Sequence, residues 1–241
     1  MGQPDVEQVR ALWRTLTGAP EGFADTAVVV VESNEHLATA RGWVSIMRLG
    51  SQAVVVSPRV HLDHVRGAVL HADASRLTEP AYLNRHLVAT QTLGPAELFY
   101  GATSLTAATT TVIGPVGITD PRVGEVLADA TEQERNESSA EQTTSGLFLA
   151  ITVDGRPAAV CGWSEWPHRV AHMSVLTAAS QRGSGYGIAA SARAVTAAQD
   201  QGLVPQWRAV EQNYGSISLA RRLGLQLLGS QYSFETRSPL G

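Results

Sequence analysis

Short apolar segments with strand-like composition follow one another closely in the middle of the chain. Three of them, residues 147–153, 158–163 and 170–177, are rich in β-branched or large apolar side chains. Asp154-Gly155 separates the first two, and the polar stretch 165–168 separates the second from the third. Because Asp-Gly pairs favour tight hairpin turns, the pattern predicts a three-stranded antiparallel meander.

A helical pattern follows the third of these segments. Its apolar positions recur at helical spacing, at Ile188, Ala192 and Val195, and Gly202 provides a stop after them. Beyond that helix, residues 206–210 and 225–235 are predicted to be strands. A short helix, capped by Ser216 and ended by Gly224, is predicted between those two strands.

The first 111 residues carry a separate set of helix and strand patterns. Helices are predicted at 6–16, 60–70 and 81–87, strands at 27–31, 41–48 and 53–56, and a turn into a strand at 94–100. Residues 104–111 are rich in Thr and Ala without a period, so they form the predicted linker. We therefore predict an α/β (α+β) protein with an amino-terminal α/β domain over 1–111 and a second domain over 112–241.

Composition narrows the class of protein. The 241 residues are 44% hydrophobic and 17% charged, with a net charge of −4, which is typical of a globular protein with a core. A weakly acidic chain offers no electrostatic attraction to nucleic acid or to an anionic membrane, so neither is expected as a partner. The first residues include the acidic Asp5 and Glu7 and no apolar segment typical of a secretory signal, and no long apolar window follows. We therefore expect no secretory signal and a cytoplasmic protein.

The reactive side chains exclude several chemistries. All 18 basic residues are arginines, so no lysine is available as a base or for a Schiff base. Cys161 lies in an apolar strand pattern and is interpreted as a core thiol. His61 and His64 share a predicted helix face but lack a convincing further ligand, so no metal is expected.

A glycine-rich loop lies between the strand at 170–177 and the long helix: Arg182, Gly183, Ser184, Gly185, Tyr186, Gly187. Glycines let the backbone turn sharply and approach a ligand, and a loop that leads into a helix can present amides to phosphate oxygens. The order of residues does not fit the Gly-x-Gly-x-x-Gly dinucleotide motif, and a P-loop would need a lysine. The loop therefore predicts a phosphorylated ligand of another kind.

The loop resembles the central motif of the GNAT superfamily of acyl-CoA-dependent N-acyltransferases, Gln/Arg-x-x-Gly-x-Gly/Ala. Arg182, Gly185 and Gly187 occupy its fixed positions. A second similarity follows downstream, where Asn213, Ser216, Leu219, Leu223, Gly224 and Leu225 resemble the Asn-x-x-Ser, leucine and Leu-Gly-Phe ending of that fold. The resemblance covers about residues 114–234 and implies a GNAT fold with a mixed, mostly antiparallel central sheet. The preceding domain would then be a degenerate GNAT-like, acceptor-side or structural domain.

The resemblance also implies a donor site for acetyl-CoA or another acyl-CoA. The backbone of Val175, Leu176 and Thr177 would pair with the pantetheine arm, and the amides of residues 182–187 would hold the pyrophosphate. Asn213 and Ser216 would complete the donor site from the next strand and helix.

The catalytic groups are less clearly marked. Many GNAT enzymes have a tyrosine seven residues after the motif asparagine, where this chain has Ala220. Tyr214 is an alternative proton donor, and His172 and Glu211 are alternative general bases. Each of the three has an ordinary structural interpretation as a packed or hydrogen-bonded residue.

Residues 120–141 contain seven acidic residues and two arginines, a net charge of −5. Two interpretations remain open, a solvated helix face and a negative rim that attracts an amine.

The predicted function is an N-acetyltransferase that transfers an acyl group from acetyl-CoA directly to an amine. A small-molecule acceptor is favoured over a protein. The alternatives are a noncatalytic acyl-CoA-binding module and an acyltransferase that uses a carrier-protein thioester. The identity of the acceptor is left open. A homodimer is kept as an alternative assembly of the protein.

Overall fold

The computed structural model describes residues 5–24, 26–33, 42–101, 111–143 and 145–236. Seven helices lie within these ranges: α1 (Val6–Thr17), α2 (Leu62–Val69), α3 (Pro80–Leu83), α4 (Pro121–Ala128), α5 (Glu132–Ser138), α6 (Tyr186–Asp200) and α7 (Tyr214–Arg222). The strands in the same ranges are β1 (Val28–Glu32), β2 (Val44–Leu49), β3 (Gln52–Ser57), β4 (Ala89–Tyr100), β5 (Thr111–Val116), β6 (Ser145–Ile151), β7 (Pro157–Trp166), β8 (Val170–Thr177), β9 (Val204–Val210) and β10 (Gln226–Thr236). The predicted fold class, mixed α/β with a mostly antiparallel sheet, is confirmed.

The chain forms two compact units. The amino-terminal unit contains Asp5–Leu98, Ala209–Tyr214 and Leu227–Gly241, and the carboxy-terminal unit contains Phe99–Arg208 and Gly215–Gln226. Each unit is therefore built from more than one stretch of chain. A single domain boundary at 111/112 stays a prediction.

The amino-terminal unit is organised around the strand order β1, β3, β2, β10, β4. β1 is parallel to β3, β2 and β3 form a hairpin, and β10 pairs antiparallel with β2 from Gly229 to Phe234. Large side chains of β2, β10 and the helical segments share one core, including Ile46, Leu77 and Leu83. Consecutive residues are buried along β2 and β3, so both faces of these two strands are covered.

The carboxy-terminal unit contains the predicted meander. β5, β6, β7 and β8 are antiparallel neighbours, and β9 adds to β8 in the parallel direction. α6 packs on β6 and β7, while Val123 and Val126 of α4 are buried in a core with Leu149, Val160 and Leu176. Their spacing of three residues places both valines on one face of α4, the face that contributes to this core.

Three sequence predictions require correction. The helix predicted at 81–87 is only the single turn α3, because the chain leaves the helix at Asn84, a residue that competes with helical hydrogen bonding. Gly94 does not start a turn; β4 runs through it, where an added Cβ would lie 3.0 Å from the Gln231 carbonyl oxygen of β10. Thr111, the last residue of the predicted linker, belongs to β5. Nearly all of the predicted linker, residues 104–110, lies outside the described residues.

Cys161 is fully buried in β7, and desolvation raises the pKa of its thiol to about 12. A thiol that is neutral at physiological pH agrees with its interpretation as a core residue. Across the described ranges, none of the helices combines the length and the hydrophobicity needed to span a membrane.

Candidate functional site

The glycine loop connects β8 to α6, as predicted. A single 3₁₀ turn, Ala179–Gln181, follows β8, and α6 begins at Tyr186. Gly183 and Gly185 both adopt left-handed backbone angles, with φ of 76° and 87°. A Cβ at either position would meet nothing within 4 Å, so the loop surface around these two glycines is open. A residue with a Cβ is strained at such backbone angles, which is why glycine occupies both positions.

The amino end of α6 is the main polar feature of the loop. Gly185 occupies the N-cap position and supplies no side-chain hydrogen bond to the first turn. The Ala189 amide donates to the Gly185 carbonyl, so the amides that precede Ala189 have no carbonyl one turn earlier in the helix. With the positive end of the helix dipole, these amides can bind anionic oxygens.

Gly187 holds the start of α6 close to the end of β8. An added Cβ at Gly187 would lie 2.7 Å from the Thr177 hydroxyl oxygen, closer than real contacts allow. The third glycine therefore has a packing role that differs from the conformational role of Gly183 and Gly185. It brings the residues 175–177 next to the loop.

β8 and β9 are paired over only part of their length. Their ladder joins Val170 to Val204, Ala171 to Pro205 and His172 to Gln206. The ladder with β7 continues to the end of β8, where Thr177 pairs with Ala159. The segment Val175, Leu176, Thr177 is thus held by β7 on one side and lies beyond the ladder with β9 on the other. Backbone amides and carbonyls in that position can pair with an extended amide-containing ligand.

Acidic residues from 120–141 hold the loop. The Arg182 guanidinium forms a 2.8 Å ion pair with Glu134, which also accepts a hydrogen bond from the Thr131 amide. The Asp129 carboxylate accepts hydrogen bonds from the amide and hydroxyl of Ser180. The hydrogen bond from Arg182 lowers the pKa of Glu134 to about 2.

Other acids of the same segment have local partners. Asp120 pairs with Arg122, and Glu141 pairs with Arg135. Glu137 accepts a 2.9 Å hydrogen bond from the Gln133 side-chain amide, so five of the seven acidic residues have structural contacts, which neither sequence interpretation foresaw. The spacing of Thr131 and Glu134 is the local sequence signal of a helix capping box. No local signal indicates that Glu134 also contacts Arg182.

The ion pair makes a prediction about stability. Glu134→Gln should destabilise the protein by about 1 kcal/mol at pH 7, the upper range for a surface pair. The pKa of Glu134 is lower in the folded than in the unfolded chain, so the stabilisation is complete above pH 4.5 and is lost as the pH falls toward 2. Urea unfolding at a series of pH values measures this difference. Glu132→Gln removes the same charge from the same first turn and is the matched control; an equal effect of both substitutions would contradict a specific role for Glu134.

His172 lies at the last pair of the ladder between β8 and β9. Its Nδ1 lies 2.5 Å from the Gln206 side-chain oxygen, and its ring stacks on Trp166 with centroids 4.2 Å apart. Burial, with a smaller contribution from the Arg208 charge, lowers the pKa of His172 to about 4. The imidazole is therefore neutral near physiological pH and can accept a proton.

Ser216 lies within α7 and does not cap it, because the helix begins two residues earlier at Tyr214. Its hydroxyl accepts a 2.9 Å hydrogen bond from the Trp207 indole nitrogen. Ala220, at the position of the usual motif tyrosine, is fully buried.

The remaining predicted site residues, Glu211, Asn213 and Tyr214, belong to the amino-terminal unit. Burial, together with the charges of Glu97 and Glu79, raises the pKa of Glu211. The backbone amide of Asn213 donates a hydrogen bond to the Val210 carbonyl, and the chain turns there just before α7. Tyr214 is 78% exposed, so its hydroxyl is accessible to solvent and is not a core group.

Among the residues that the structure describes, no three His, Cys, Asp or Glu side chains are arranged to hold a metal ion. The carboxy-terminal unit contains several of the predicted site residues together: His172, Val175, Leu176, Thr177 and the loop 182–187. Gln206, Glu134 and Asp129 were missed by the sequence analysis, because no local pattern marks their partners.

Residues 119–225 match the model of the Acetyltransferase (GNAT) family. No curated protein matches the sequence. Similar solved structures include an acetyltransferase of the GNAT family from Colwellia psychrerythraea, at 15% identity and a TM-score of 0.45 over 62% of this chain and 58% of that chain. A GCN5-related N-acetyltransferase from Kribbella flavida has 16% identity and a TM-score of 0.42 over 67% of this chain and 64% of that chain.

A third similar structure is a GNAT superfamily phosphinothricin acetyltransferase from Sinorhizobium meliloti in complex with AcCoA. It has 15% identity and a TM-score of 0.39 over 54% of this chain and 89% of that chain. This chain covers less than two thirds of the length of the Colwellia and Kribbella proteins. Because residues 119–225 match the family model, we assign this part of the chain to the GNAT family of acetyltransferases.

Proposed function

We propose that this protein is an N-acyltransferase that moves an acyl group from acetyl-CoA, or another acyl-CoA, to an amine of a small molecule. The observation that carries the proposal is the open amino end of α6, preceded by Gly183 and Gly185 and directly next to the end of β8. The amides of the loop would hold the pyrophosphate, and residues 175–177 would pair with the pantetheine arm. Ser216, which belongs to the same unit, is proposed to complete the donor site.

The reaction is direct attack on the thioester. The amine nitrogen forms a bond to the carbonyl carbon, the electron pair of the C=O π bond moves to oxygen, and the nitrogen loses a proton. When the intermediate collapses, the C–S bond breaks and the CoA thiolate leaves to be protonated. Binding both substrates in the reacting geometry supplies much of the acceleration, and no covalent enzyme intermediate is needed.

A noncatalytic acyl-CoA-binding module is the second candidate function. Ala220 favours it, because a buried methyl group cannot protonate the leaving thiolate. The exposed hydroxyl of Tyr214 and the neutral imidazole of His172 favour the enzyme, since both are able to transfer protons.

Free-thiol release with acetyl-CoA and a broad panel of amines distinguishes the two functions. We expect thiol release that requires one class of amine and grows with pH as that amine is deprotonated. Tight binding of CoA without thiol release for any amine would favour the binding module. A rate that is unchanged when acetyl-CoA is replaced by an acetylated phosphopantetheine would favour a carrier-protein donor.

A further inference from the structure

A chain of three side chains, all in the carboxy-terminal unit, connects β8 and β9 with Tyr100 at the end of β4. It lies where the ladder between β8 and β9 ends. The Gln206 oxygen lies 2.5 Å from Nδ1 of His172, and the Gln206 nitrogen donates a 3.2 Å hydrogen bond to the Tyr100 hydroxyl. Gln206 and Tyr100 are both fully buried. Both ends of the amide are therefore engaged within the protein, away from solvent.

This arrangement determines which imidazole nitrogen carries the proton. The Gln206 oxygen can only accept a hydrogen bond, so Nδ1 of His172 must be the donor. A neutral imidazole has a single N–H, which leaves the lone pair of Nε2 available. The stacked indole of Trp166 fixes the plane of the ring and hence the direction of that lone pair.

The environment also keeps the imidazole neutral. The charged and titratable groups that act on it are Arg208 from β9 and, through Gln206, Tyr100 from β4; β7 contributes the neutral Trp166. A glutamate in place of Gln206 would stabilise the imidazolium, whereas the amide does not carry a charge. The uncharged amide of Gln206 is therefore compatible with a neutral His172 imidazole during the reaction.

We propose that Gln206 is a positioning residue that keeps the proton of His172 on Nδ1, so that Nε2 receives the proton of the attacking amine. The proposal rests on the proposed function and names the general base of that reaction. The amine nitrogen gives up its proton to Nε2 after the N–C bond forms. The imidazolium returns that proton to the CoA thiolate or to water, so the histidine is unchanged at the end of the cycle.

The first test is ¹⁵N NMR of the histidines in the full-length protein without substrate, with His172 assigned by its loss in His172→Asn. We expect the Nδ1–H tautomer for His172 in the unmodified protein. Gln206→Glu should raise the midpoint of its titration by at least one pH unit, because the new carboxylate favours the imidazolium. An Nε2–H tautomer, which corresponds to a Gln206 amide turned by 180°, would overturn the proposal.

The second test is kinetic and uses Gln206→Leu and Gln206→Glu with acetyl-CoA and the best amine. Gln206→Leu should lower kcat about 10-fold with little change in the KM for acetyl-CoA. Deprotonation of the amine makes kcat/KM fall toward acid pH, and protonation of His172 adds a second, steeper fall near pH 4. Gln206→Glu should move only this second fall to higher pH, by the same amount as the NMR midpoint. If Gln206→Leu does not fold, Tyr100→Phe removes the partner of the Gln206 nitrogen and should produce a smaller change of the same kind.

The two proposals fail in different ways. If no amine supports thiol release, the proposed enzymatic function is wrong, while the NMR result still decides which nitrogen of His172 is protonated. If thiol is released but Gln206→Leu keeps the same tautomer, kcat and pH profile, the positioning role is wrong and the acyltransferase function is unaffected.

Discussion

Replacing Gly185 with valine is expected to abolish the rise in melting temperature that acetyl-CoA produces. At a ligand concentration 100 times the Kd, binding should stabilise the folded chain by about 2.7 kcal/mol. For a chain of this length, that corresponds to a rise of about 5 to 10 °C in Tm. The valine side chain would occupy the open space over the loop and would strain a backbone with φ of 87°. Both effects prevent the pyrophosphate from reaching the amides at the start of α6.

Gly155→Val is the matched control for this experiment. Gly155 lies in the turn between β6 and β7, has φ of 83°, and also has nothing within 4 Å of an added Cβ. The backbone strain is therefore similar, but the donor loop is untouched. Thermal unfolding with and without acetyl-CoA should show a normal shift for Gly155→Val and none for Gly185→Val. A folded Gly185→Val protein that binds acetyl-CoA normally would show that the loop is not the donor site.

His172→Ala and Tyr214→Phe are each expected to lower kcat by about 10- to 100-fold. Loss of a dedicated general acid or base typically costs about 10²- to 10⁴-fold, but positioning of the two substrates does not depend on either side chain. The pKa of His172 is about 4, so its imidazole is a weak base. It can still accept the proton of the amine nitrogen after the N–C bond has formed, when that nitrogen is acidic. Tyr214 is 78% exposed, and solvent can replace its proton.

Steady-state kinetics with saturating acetyl-CoA measures these effects, and the thermal shift with CoA verifies that donor binding is intact. His71→Ala removes an exposed histidine of the amino-terminal unit and should leave kcat unchanged. Complete loss of turnover in Tyr214→Phe or His172→Ala, with normal CoA binding, would identify that residue as an obligatory acid or base. The view that positioning dominates would then be wrong.

Much of the carboxy-terminal unit could be predicted from the sequence because its signals are local. The bounds of β8 agree with the predicted strand at 170–177. Alternation of apolar residues, a turn at Asp154-Gly155 and a glycine-rich loop before a helix each depend only on neighbouring residues. The same local signals located the loop 182–187 and therefore the candidate donor site.

Only the tertiary structure decided which distant residues meet. Glu134 reaches Arg182, and Gln206 fixes the ring nitrogen of His172 across 34 residues of sequence. β10, although it is the last strand of the chain, pairs with β2 in the amino-terminal unit. Local propensity carries no information about such partners, because pairing depends on how the strands are ordered in the sheet and which faces are buried. The sequence by itself thus determined the elements and the loop, whereas the environment of the candidate base was determined by the packing of β8, β9 and β4.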